Sequence, residues 1–308
     1  MRFLILGAGA LGGYFGGRLA EAGEDVTFLL RPRRAAQIAQ TGLVIRSPAG
    51  ELHLPSPQCV QADALTPEYD VVLLGCKAYD LDSAMDAIEP ALGPQTMILP
   101  LLNGLCHLDV LAARFGHERL LGGLCQISAA LDAQGAIEHF TPLHNLIFGE
   151  LDGGTSPRVE ALAAAFARAR FDERLSPDIV QEMWEKWCTI ASLAGMTCLM
   201  RATVGDIVVA GGAEIALQLF AECRAIAAHN GHAPQAQAIE RTTAMITASG
   251  SPVTASMYKD ILRGAPTEAD HIVSELLRRG DPAQSYPLLR VVQAHLLAYE
   301  AQRKRLAG

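Results

Sequence analysis

The sequence predicts an α/β first half, built on a doubly wound parallel sheet, and an all-α second half. Short apolar runs alternate with helical patterns in the first half, which is typical of a parallel sheet covered on both faces. From about residue 178 onward, the long segments show helical patterns alone. The 308 residues correspond to about two domains of roughly 150 residues each. We place the boundary at the turn signal 175–178, which divides residues 1–175 from residues 176–308.

The elements of the first half follow one another at short spacing. Apolar runs predict four strands and the periodic segments between them predict three helices: strands 2–6, 25–30, 71–76 and 97–101, and helices 11–22, 34–41 and 81–92. Residues 43–46 and 51–54 flank the turn signal Pro48-Ala49-Gly50 and predict a small hairpin. In the second half, five segments predict helices: 178–200, 213–230, 234–248, 267–279 and 285–305.

Composition and charge limit the class of protein. Half of the residues are apolar and 19% are charged, which is typical of a globular chain with sizeable cores. The net charge of -8 argues against a nucleic-acid partner. The longest stretch without Asp, Glu, Lys or Arg, residues 90–108, is interrupted by prolines and glycines, so we expect no membrane-spanning helix. Seven cysteines without metal-ligand spacing fit a reducing compartment, and we expect a cytoplasmic protein without a metal site.

A glycine-rich loop follows the first predicted strand directly. Gly7-Ala8-Gly9-Ala10-Leu11-Gly12 has the pattern G-x-G-x-x-G between a strand and a helix, the context that a dinucleotide site requires. The first glycine permits a tight turn, the second lets a pyrophosphate approach the backbone, and the third lets helix and strand pack closely. The helix N-terminus then offers N–H groups to the anion. We therefore expect residues 7–12 to bind a dinucleotide on a Rossmann sheet, although a glycine-rich turn without a ligand is the alternative.

The end of the second predicted strand bears on the choice of cofactor. NAD sites usually place Asp or Glu about 20 residues past the loop, where the carboxylate binds the ribose hydroxyls. Here the strand ends in Arg31, with Arg33 and Arg34 close behind, and no carboxylate occupies that position. An arginine can bind a 2′-phosphate with two parallel hydrogen bonds. We therefore expect NADP(H) rather than NAD(H), with Arg31 as a cofactor-binding residue, while a solvated helix start remains the alternative.

Polar residues also follow the next two predicted strands. Lys77 comes directly after the strand 71–76, and Asn103-Gly104 follows the strand 97–101. Ligands of open α/β sheets bind beyond the carboxyl ends of the strands. Both positions therefore suit a binding site, although a surface lysine and an ordinary Asn-Gly turn would look the same.

Taken together, these residues and several in the second half resemble the ketopantoate reductase (2-dehydropantoate 2-reductase) family over nearly the whole chain. The resemblance rests on an ordered set of short motifs: GAGALGG at 7–13, Arg31, Lys77-Ala78, Asn103-Gly104, Trp184-Glu185-Lys186, Ser256-Met257 and Thr267-Glu268. It implies NADPH-dependent reduction of a 2-keto acid to a 2-hydroxy acid, as in pantothenate biosynthesis. It also implies a substrate cleft between a Rossmann domain and a helical domain.

The resemblance implies a role for each matching residue. Lys186 matches the general acid that protonates the ketone oxygen, and Glu268 matches the carboxylate that holds the hydroxyl side of the substrate. Ser256 matches a hydroxyl that contacts the substrate, while Asn103 and Lys77 match residues that contact both the nicotinamide and the substrate. Each has a simpler alternative: Glu268 could be a first-turn acid in a capping box, and Lys186 a cation on a solvated helix face.

Two positions depart from the family pattern. The family carries asparagines four and eight residues after the catalytic lysine, where this chain has Ile190 and Ala194. Residues at this spacing share a helix face with Lys186, so we expect a less polar substrate and a more desolvated lysine. The segment 281–287 also departs from the family form.

These departures leave several interpretations of the function open. The first is reduction of ketopantoate to pantoate. The second is a paralogous reductase of another 2-keto acid or ketone, and the third is a NADP(H)-binding sensor without turnover. We expect a small-molecule substrate, and a homodimer formed through the helical second half stays open.

Overall fold

The computed structural model describes residues 1–307, which form two compact units. The first unit comprises residues 1–102 and 107–180, and the second comprises residues 103–106 and the chain from Gln181 onward. The expected boundary after residue 175 therefore lies five residues earlier than the division after Val180. The difference arises because the Ser176 N–H donates to the Phe148 carbonyl at 2.7 Å, which keeps this segment on the first unit.

The strands all lie in the first unit and form two sheets. Over the described residues they are β1 (Arg2–Leu6), β2 (Asp25–Leu29), β3 (Leu43–Arg46), β4 (Leu52–Leu54), β5 (Gln58–Val60), β6 (Val71–Leu74), β7 (Met97–Pro100), β8 (Leu121–Leu131), β9 (Ile137–Glu150) and β10 (Asp172–Leu175). The helices of this unit are α1 (Ala10–Glu21), α2 (Pro32–Thr41), α3 (Leu81–Ile88), α4 (Cys106–Phe115) and α5 (Pro157–Phe166).

The first sheet is parallel throughout and has the strand order β5-β2-β1-β6-β7. Its side chains are buried on both faces in alternation, as the period of two in a strand requires. Phe3 and Ile5 enter one apolar core, whereas Leu4 enters the other. Burial on both faces explains why these strands appear in the sequence as continuous apolar runs. The predicted doubly wound sheet is confirmed.

The second sheet is built around the long strand β9. β8 pairs antiparallel with nearly its whole length, while β3 and β10 run parallel to its two ends. β3 also pairs antiparallel with β4, as predicted for a hairpin around Pro48-Ala49-Gly50. The ladder between β8 and β9 shifts register because residues 140–143 oppose Ser128 alone. The sequence did not indicate this sheet, because its strands come from distant parts of the chain.

The second unit is helical, in agreement with the predicted all-α second half. Its helices are α6 (Ile179–Met200), which begins two residues inside the first unit, α7 (Val204–Val209), α8 (Ala213–His229), α9 (Ala236–Ile246), α10 (Ser256–Leu262), α11 (Glu275–Arg278) and α12 (Pro287–Ala307). Helices α7 and α10 were not predicted. Over residues 1–307, no helix is both long and apolar enough to span a membrane.

The helix expected over residues 267–279 is present from Ala269 to Arg278, but it starts two residues later than predicted and is not α-helical throughout. A π-helical turn at Asp270–Ser274 precedes the short helix α11. The helix begins after Thr267, whose N–H and hydroxyl both donate to Glu300 Oε1 on α12, at 2.7 and 2.8 Å. Glu300, on a distant helix, thus accepts the Thr267 N–H that the side chain of Asp270 would accept in a local capping box.

Candidate active site

The glycine loop has the geometry of an anion site. Gly7 has φ +79°, a value that favours glycine, and its N–H donates to the Leu29 carbonyl at 2.9 Å. Gly9 is the N-cap of α1 in an extended conformation, and a Cβ placed there would meet no atom within 4 Å. A Cβ at Gly12 would overlap the Gly7 carbonyl oxygen and lie 3.2 Å from Ile5 Cγ2. The helix therefore packs tightly on β1 and leaves open space in front of Gly9.

A cavity of about 650 Å³ lies at the carboxyl ends of β1, β2 and β6. Its wall includes the predicted residues Gly7, Ala8, Gly9 and Arg31. The other loop residues, 10–12, lie in the first turn of α1 and are not part of that wall. This volume is in the range of small-molecule and cofactor sites, about 300–1,000 Å³. Its position is where ligands of open parallel sheets bind.

Arg31 stands at the rim of this cavity. Its side chain is 74% exposed, and its Nη2 lies 3.4 Å from Asp80 Oδ1 and 3.2 Å from Ser83 Oγ. Asp80 and Asp63 also belong to the wall. A phosphate bound by Arg31 would therefore compete with the Asp80 carboxylate for the guanidinium.

Arg34 is a second cation in the wall, and sequence reasoning noted it only as a neighbour of Arg31. Its Nε donates to the Ala8 carbonyl at 3.0 Å and its Nη1 to Gln37 Oε1 at 2.6 Å, while its Nη2 is buried without a partner. Burial lowers the pKa of Arg34, against the opposing effects of Asp132 and Cys59. The sequence spacing could have indicated this role of Arg34. Arg31 and Arg34 are three residues apart at the start of α2, so their side chains lie on the same face of the helix.

Lys77 lies in the first unit, half-buried, at the start of the 3-10 turn Ala78–Asp80 that follows β6. Its carbonyl accepts a hydrogen bond from the Asp80 N–H at 2.9 Å. The residue is not part of the cavity wall, although its neighbours Gly75 and Cys76 are.

The remaining predicted site residues all belong to the second unit. Lys186 is half-buried on α6, next to the fully buried Trp187. Glu268 is buried, at 5% exposure, which is unlike an exposed first-turn acid. Ser256 is exposed as the first residue of α10, and Asn103 is half-buried in the segment 103–106.

Trp187 connects the segments that carry three of these residues. Its Nε1 donates to the Ile272 carbonyl at 2.8 Å, in the π-helical turn just after Glu268. A Cβ on Gly104, which has φ +78° and follows Asn103, would lie 3.7 Å from Trp187 Cε2 and 3.0 Å from the His271 carbonyl oxygen. Helix α6, the turn after Glu268 and the Asn103-Gly104 segment therefore meet at one indole ring. Sequence reasoning did not identify this role of Trp187, because its partner Ile272 lies in a distant part of the chain.

The start of α10 is also attached to α6. The Ala255 N–H donates to Thr197 Oγ1 at 3.3 Å, so α6 anchors the residue before Ser256. Of the two departures from the family pattern, Ile190 is half-buried, whereas Ala194 is only 2% exposed. Ala194 is thus part of the core of the second unit. Of these two positions, Ile190 is the one whose side chain is partly exposed on the helix face that carries Lys186.

Two histidines, His139 and His144, lie within β9. His139 and His144 stack with ring centroids 5.6 Å apart, and the Tyr14 hydroxyl lies 2.6 Å from His144 Nδ1. Burial chiefly lowers the pKa of His144. Across residues 1–307, no group of three or more His, Cys, Asp or Glu side chains could hold a metal ion.

The first unit has the features of a dinucleotide-binding domain of the Rossmann class: a parallel sheet, a glycine loop at a helix N-terminus and a cavity at the strand ends. Comparisons with known proteins agree. Residues 3–153 match the family model "Ketopantoate reductase PanE/ApbA", and residues 178–300 match "Ketopantoate reductase PanE/ApbA C terminal". The chain belongs to the ketopantoate reductase family and is an oxidoreductase of that type.

Individual relatives give the same result. The chain is 36% identical to "Uncharacterized oxidoreductase YkpB" of Bacillus subtilis (strain 168), over 98% of this chain and 100% of that relative. A solved 2-dehydropantoate 2-reductase from Geobacter metallireducens GS-15 is 29% identical with a TM-score of 0.87, over 97% of this chain and 99% of that one. A D-mandelate dehydrogenase solved with NADH and anilino(oxo)acetate shares the fold, at 21% identity and a TM-score of 0.86 over 99% of both chains. The family is one of nicotinamide-dependent reductases.

Proposed function

We propose that this protein reduces a 2-keto acid to a 2-hydroxy acid with NADPH, with ketopantoate as the substrate and pantoate as the product. The observation that carries the proposal is the setting of Glu268. This buried carboxylate lies beside a turn that is hydrogen-bonded to Trp187, the neighbour of Lys186. The buried indole of Trp187 thus connects the helix of Lys186 to the segment of Glu268. A lysine and a carboxylate connected in this way suit a substrate that has both a ketone and a hydroxyl group.

The residues of the first unit fit a dinucleotide with an additional phosphate. The open space in front of Gly9 suits a pyrophosphate, and the residues 7–12 would hold it at the N-terminus of α1. Arg31 and Arg34 favour NADPH over NADH, because both arginines line the cavity and a guanidinium group can donate two hydrogen bonds to a 2′-phosphate. We assign Lys77 and Asn103 to the nicotinamide end. When bound, NADPH supplies a hydride for the carbonyl carbon of the substrate.

Lys186 acts as the general acid. Its ammonium group donates a hydrogen bond to the ketone oxygen and transfers a proton as negative charge develops there. Glu268 accepts a hydrogen bond from the hydroxyl group of the substrate and so orients the ketone toward Lys186. Ser256 and Asn103 supply further polar contacts to the substrate. The ammonium is restored from solvent after each turnover.

One observation favours an alternative substrate in place of ketopantoate. Ile190 presents a half-buried apolar side chain one turn after Lys186, where the family carries an amide. An apolar surface there suits a 2-keto acid, or a ketone, with a less polar tail than that of ketopantoate. A NADP(H)-binding sensor without turnover is the third interpretation that the sequence leaves open.

The test is the loss of NADPH absorbance with ketopantoate and with a panel of 2-keto acids of increasing apolar tail. We expect Lys186→Ala to lower kcat by about 10²- to 10⁴-fold, while the Kd for NADPH stays unchanged. Lys304→Ala, an exposed lysine on α12, is the matched control and should keep full activity. Equal activity of Lys186→Ala and wild type would refute the general-acid role. Turnover of only those 2-keto acids with an apolar tail would support the alternative substrate. NADPH binding without turnover of any compound would support a NADP(H)-binding sensor.

A further inference from the structure

The segment that carries Glu268 is attached at both ends to helices of the second unit, through Glu300 on α12 and Trp187 on α6. We propose that Glu300 and Trp187 are positioning residues for the reaction, which act by holding this segment in register with Lys186. The inference rests on the proposed function, because it presupposes that Glu268 binds the substrate.

The first attachment lies directly before Glu268. Glu300 Oε1 on α12 accepts hydrogen bonds from both the N–H and the hydroxyl of Thr267, at 2.7 and 2.8 Å. The other carboxylate oxygen accepts a hydrogen bond from Arg303 Nε at 3.0 Å. Burial alone would raise the pKa of Glu300, but the Thr267 hydrogen bonds and Arg303 outweigh it and lower that pKa. Glu300 is therefore a charged, fully engaged acceptor at the residue before Glu268.

The neighbouring residue of α12 strengthens this attachment. The Tyr299 hydroxyl donates to the Ala265 carbonyl at 2.8 Å. Two consecutive residues of one helix thus bind the backbone at positions 265 and 267. The approach of the chain to Glu268 is determined by α12 rather than by a helix cap of its own.

The second attachment lies four residues after Glu268. The Trp187 indole N–H donates to the Ile272 carbonyl at 2.8 Å, and the Ile272 N–H donates to the Glu268 carbonyl at 2.9 Å. Trp187 is fully buried. If its indole N–H were removed, the Ile272 carbonyl would lose its hydrogen-bond donor, and water could not easily replace it. Because Trp187 is adjacent to Lys186 on α6, this chain of two hydrogen bonds connects the backbone of Glu268 to the helix of the general acid.

Positioning of this kind has a large kinetic effect. A misplacement of about 1 Å at a reacting group can cost on the order of 10²-fold in rate. Glu268 is buried, so its carboxylate follows its backbone. Loss of either attachment should therefore reduce turnover through Glu268, without touching the substrate or the dinucleotide cavity of the first unit.

The experiment is a double-mutant cycle between each attachment and Glu268, with kcat and KM measured separately. The variants are Glu300→Ala, Glu300→Gln, Trp187→Phe and Glu268→Gln, with the exposed Gln302→Ala as the control on α12. We expect Glu300→Ala and Trp187→Phe to lower kcat/KM about 10-fold or more, with the Kd for NADPH within about twofold of wild type. Glu300→Gln keeps an acceptor oxygen for Thr267 and should recover most of the activity.

The cycle separates positioning from a general structural effect. If both residues act through Glu268, their effects should shrink to about twofold or less in the Glu268→Gln background. Undiminished effects in that background, or an equal loss of NADPH affinity, would overturn the inference. If Glu268→Gln itself retains full activity, the proposed role of Glu268 fails first, and the positioning role fails with it.

Hydrogen exchange provides a readout that does not depend on activity. In Glu300→Ala, the amide of Thr267 loses its acceptor, so peptides spanning residues 265–275 should exchange faster than in wild type, while peptides of α8 should not. Unchanged exchange in this segment would contradict the attachment. If Trp187→Phe does not fold, the two Glu300 variants decide the question, since Glu300→Gln keeps the shape of the side chain.

Discussion

A methyl group added at Gly9 or at Gly12 should separate cofactor binding from folding. The two residues lie three positions apart in the same loop, but a Cβ meets no atom within 4 Å at Gly9, whereas at Gly12 it overlaps the Gly7 carbonyl oxygen. Gly9 also has φ -77°, which alanine adopts without strain. We therefore expect Gly9→Ala to impair binding and Gly12→Ala to impair stability.

The magnitudes follow from these surroundings. At Gly9, alanine is a poorer N-cap than glycine but loses less entropy on folding, and the two effects offset each other to within about 1 kcal/mol. The methyl group occupies the space proposed for the pyrophosphate, and loss of one charge-assisted hydrogen bond costs about 1.5–3 kcal/mol. That corresponds to about a 10- to 150-fold increase in the Kd for NADPH. At Gly12, overpacking against backbone costs about 1–3 kcal/mol, or about 2–12 °C in Tm for a unit of this size.

The assay is a fluorescence titration with NADPH beside a thermal unfolding curve for each variant. Gly23→Ala serves as a control for a glycine far from the cavity, whose φ of +88° predicts destabilisation without a direct effect on binding. NADPH binding by Gly9→Ala within about twofold of wild type, at unchanged Tm, would contradict the proposed place of the pyrophosphate in front of Gly9. Unfolding of Gly12→Ala at the wild-type temperature would show that the contact with the Gly7 carbonyl oxygen has no energetic cost.

Three further predictions concern the cofactor, a helix start and pH. Arg31→Ala should weaken NADPH binding by about tenfold and leave NADH binding unchanged; equal losses for both cofactors would contradict a 2′-phosphate contact. Glu222→Ala should lower the free energy of unfolding by about 1–3 kcal/mol, since its carboxylate accepts the Leu288 and Leu289 N–H groups at 3.0 and 2.8 Å; an unchanged urea midpoint would contradict this. Burial chiefly lowers the pKa of His144, so the unfolded chain takes up its proton first and stability should fall as pH drops below about 6.5. The slope should be smaller in His144→Gln, and parallel pH profiles would exclude His144 as the source.

Much of the first unit could be predicted because its signals are local. The continuous apolar runs of β1 and β6 predict strands buried on both faces, and their side chains do alternate between two cores. The glycine loop is predictable because each of its glycines stands where a side chain would interfere with a strand–turn–helix junction or with a bound pyrophosphate. The order and spacing of the motifs indicated the ketopantoate reductase family, which the comparisons confirm.

Structural features that depend on residues distant in the chain could not be predicted in this way. The pairing of β8 with β9, and of β9 with β3 and β10, joins segments that are far apart in the chain. No local pattern encodes which strands will meet, because β pairing is decided by the packing of the whole unit.

The sequence by itself determined the class of sheet, the position of the glycine loop and the residue types available for chemistry, because these follow from local sterics and side-chain period. The tertiary structure alone decided that Arg34 joins Arg31 in the cavity wall. It also decided that Glu300 takes the donors of Thr267 and that Trp187 bonds to the turn after Glu268. These partners lie up to 85 residues apart in the chain. Hydrogen bonds at that separation form only once the helices have packed, so no pattern within a single segment could have indicated them.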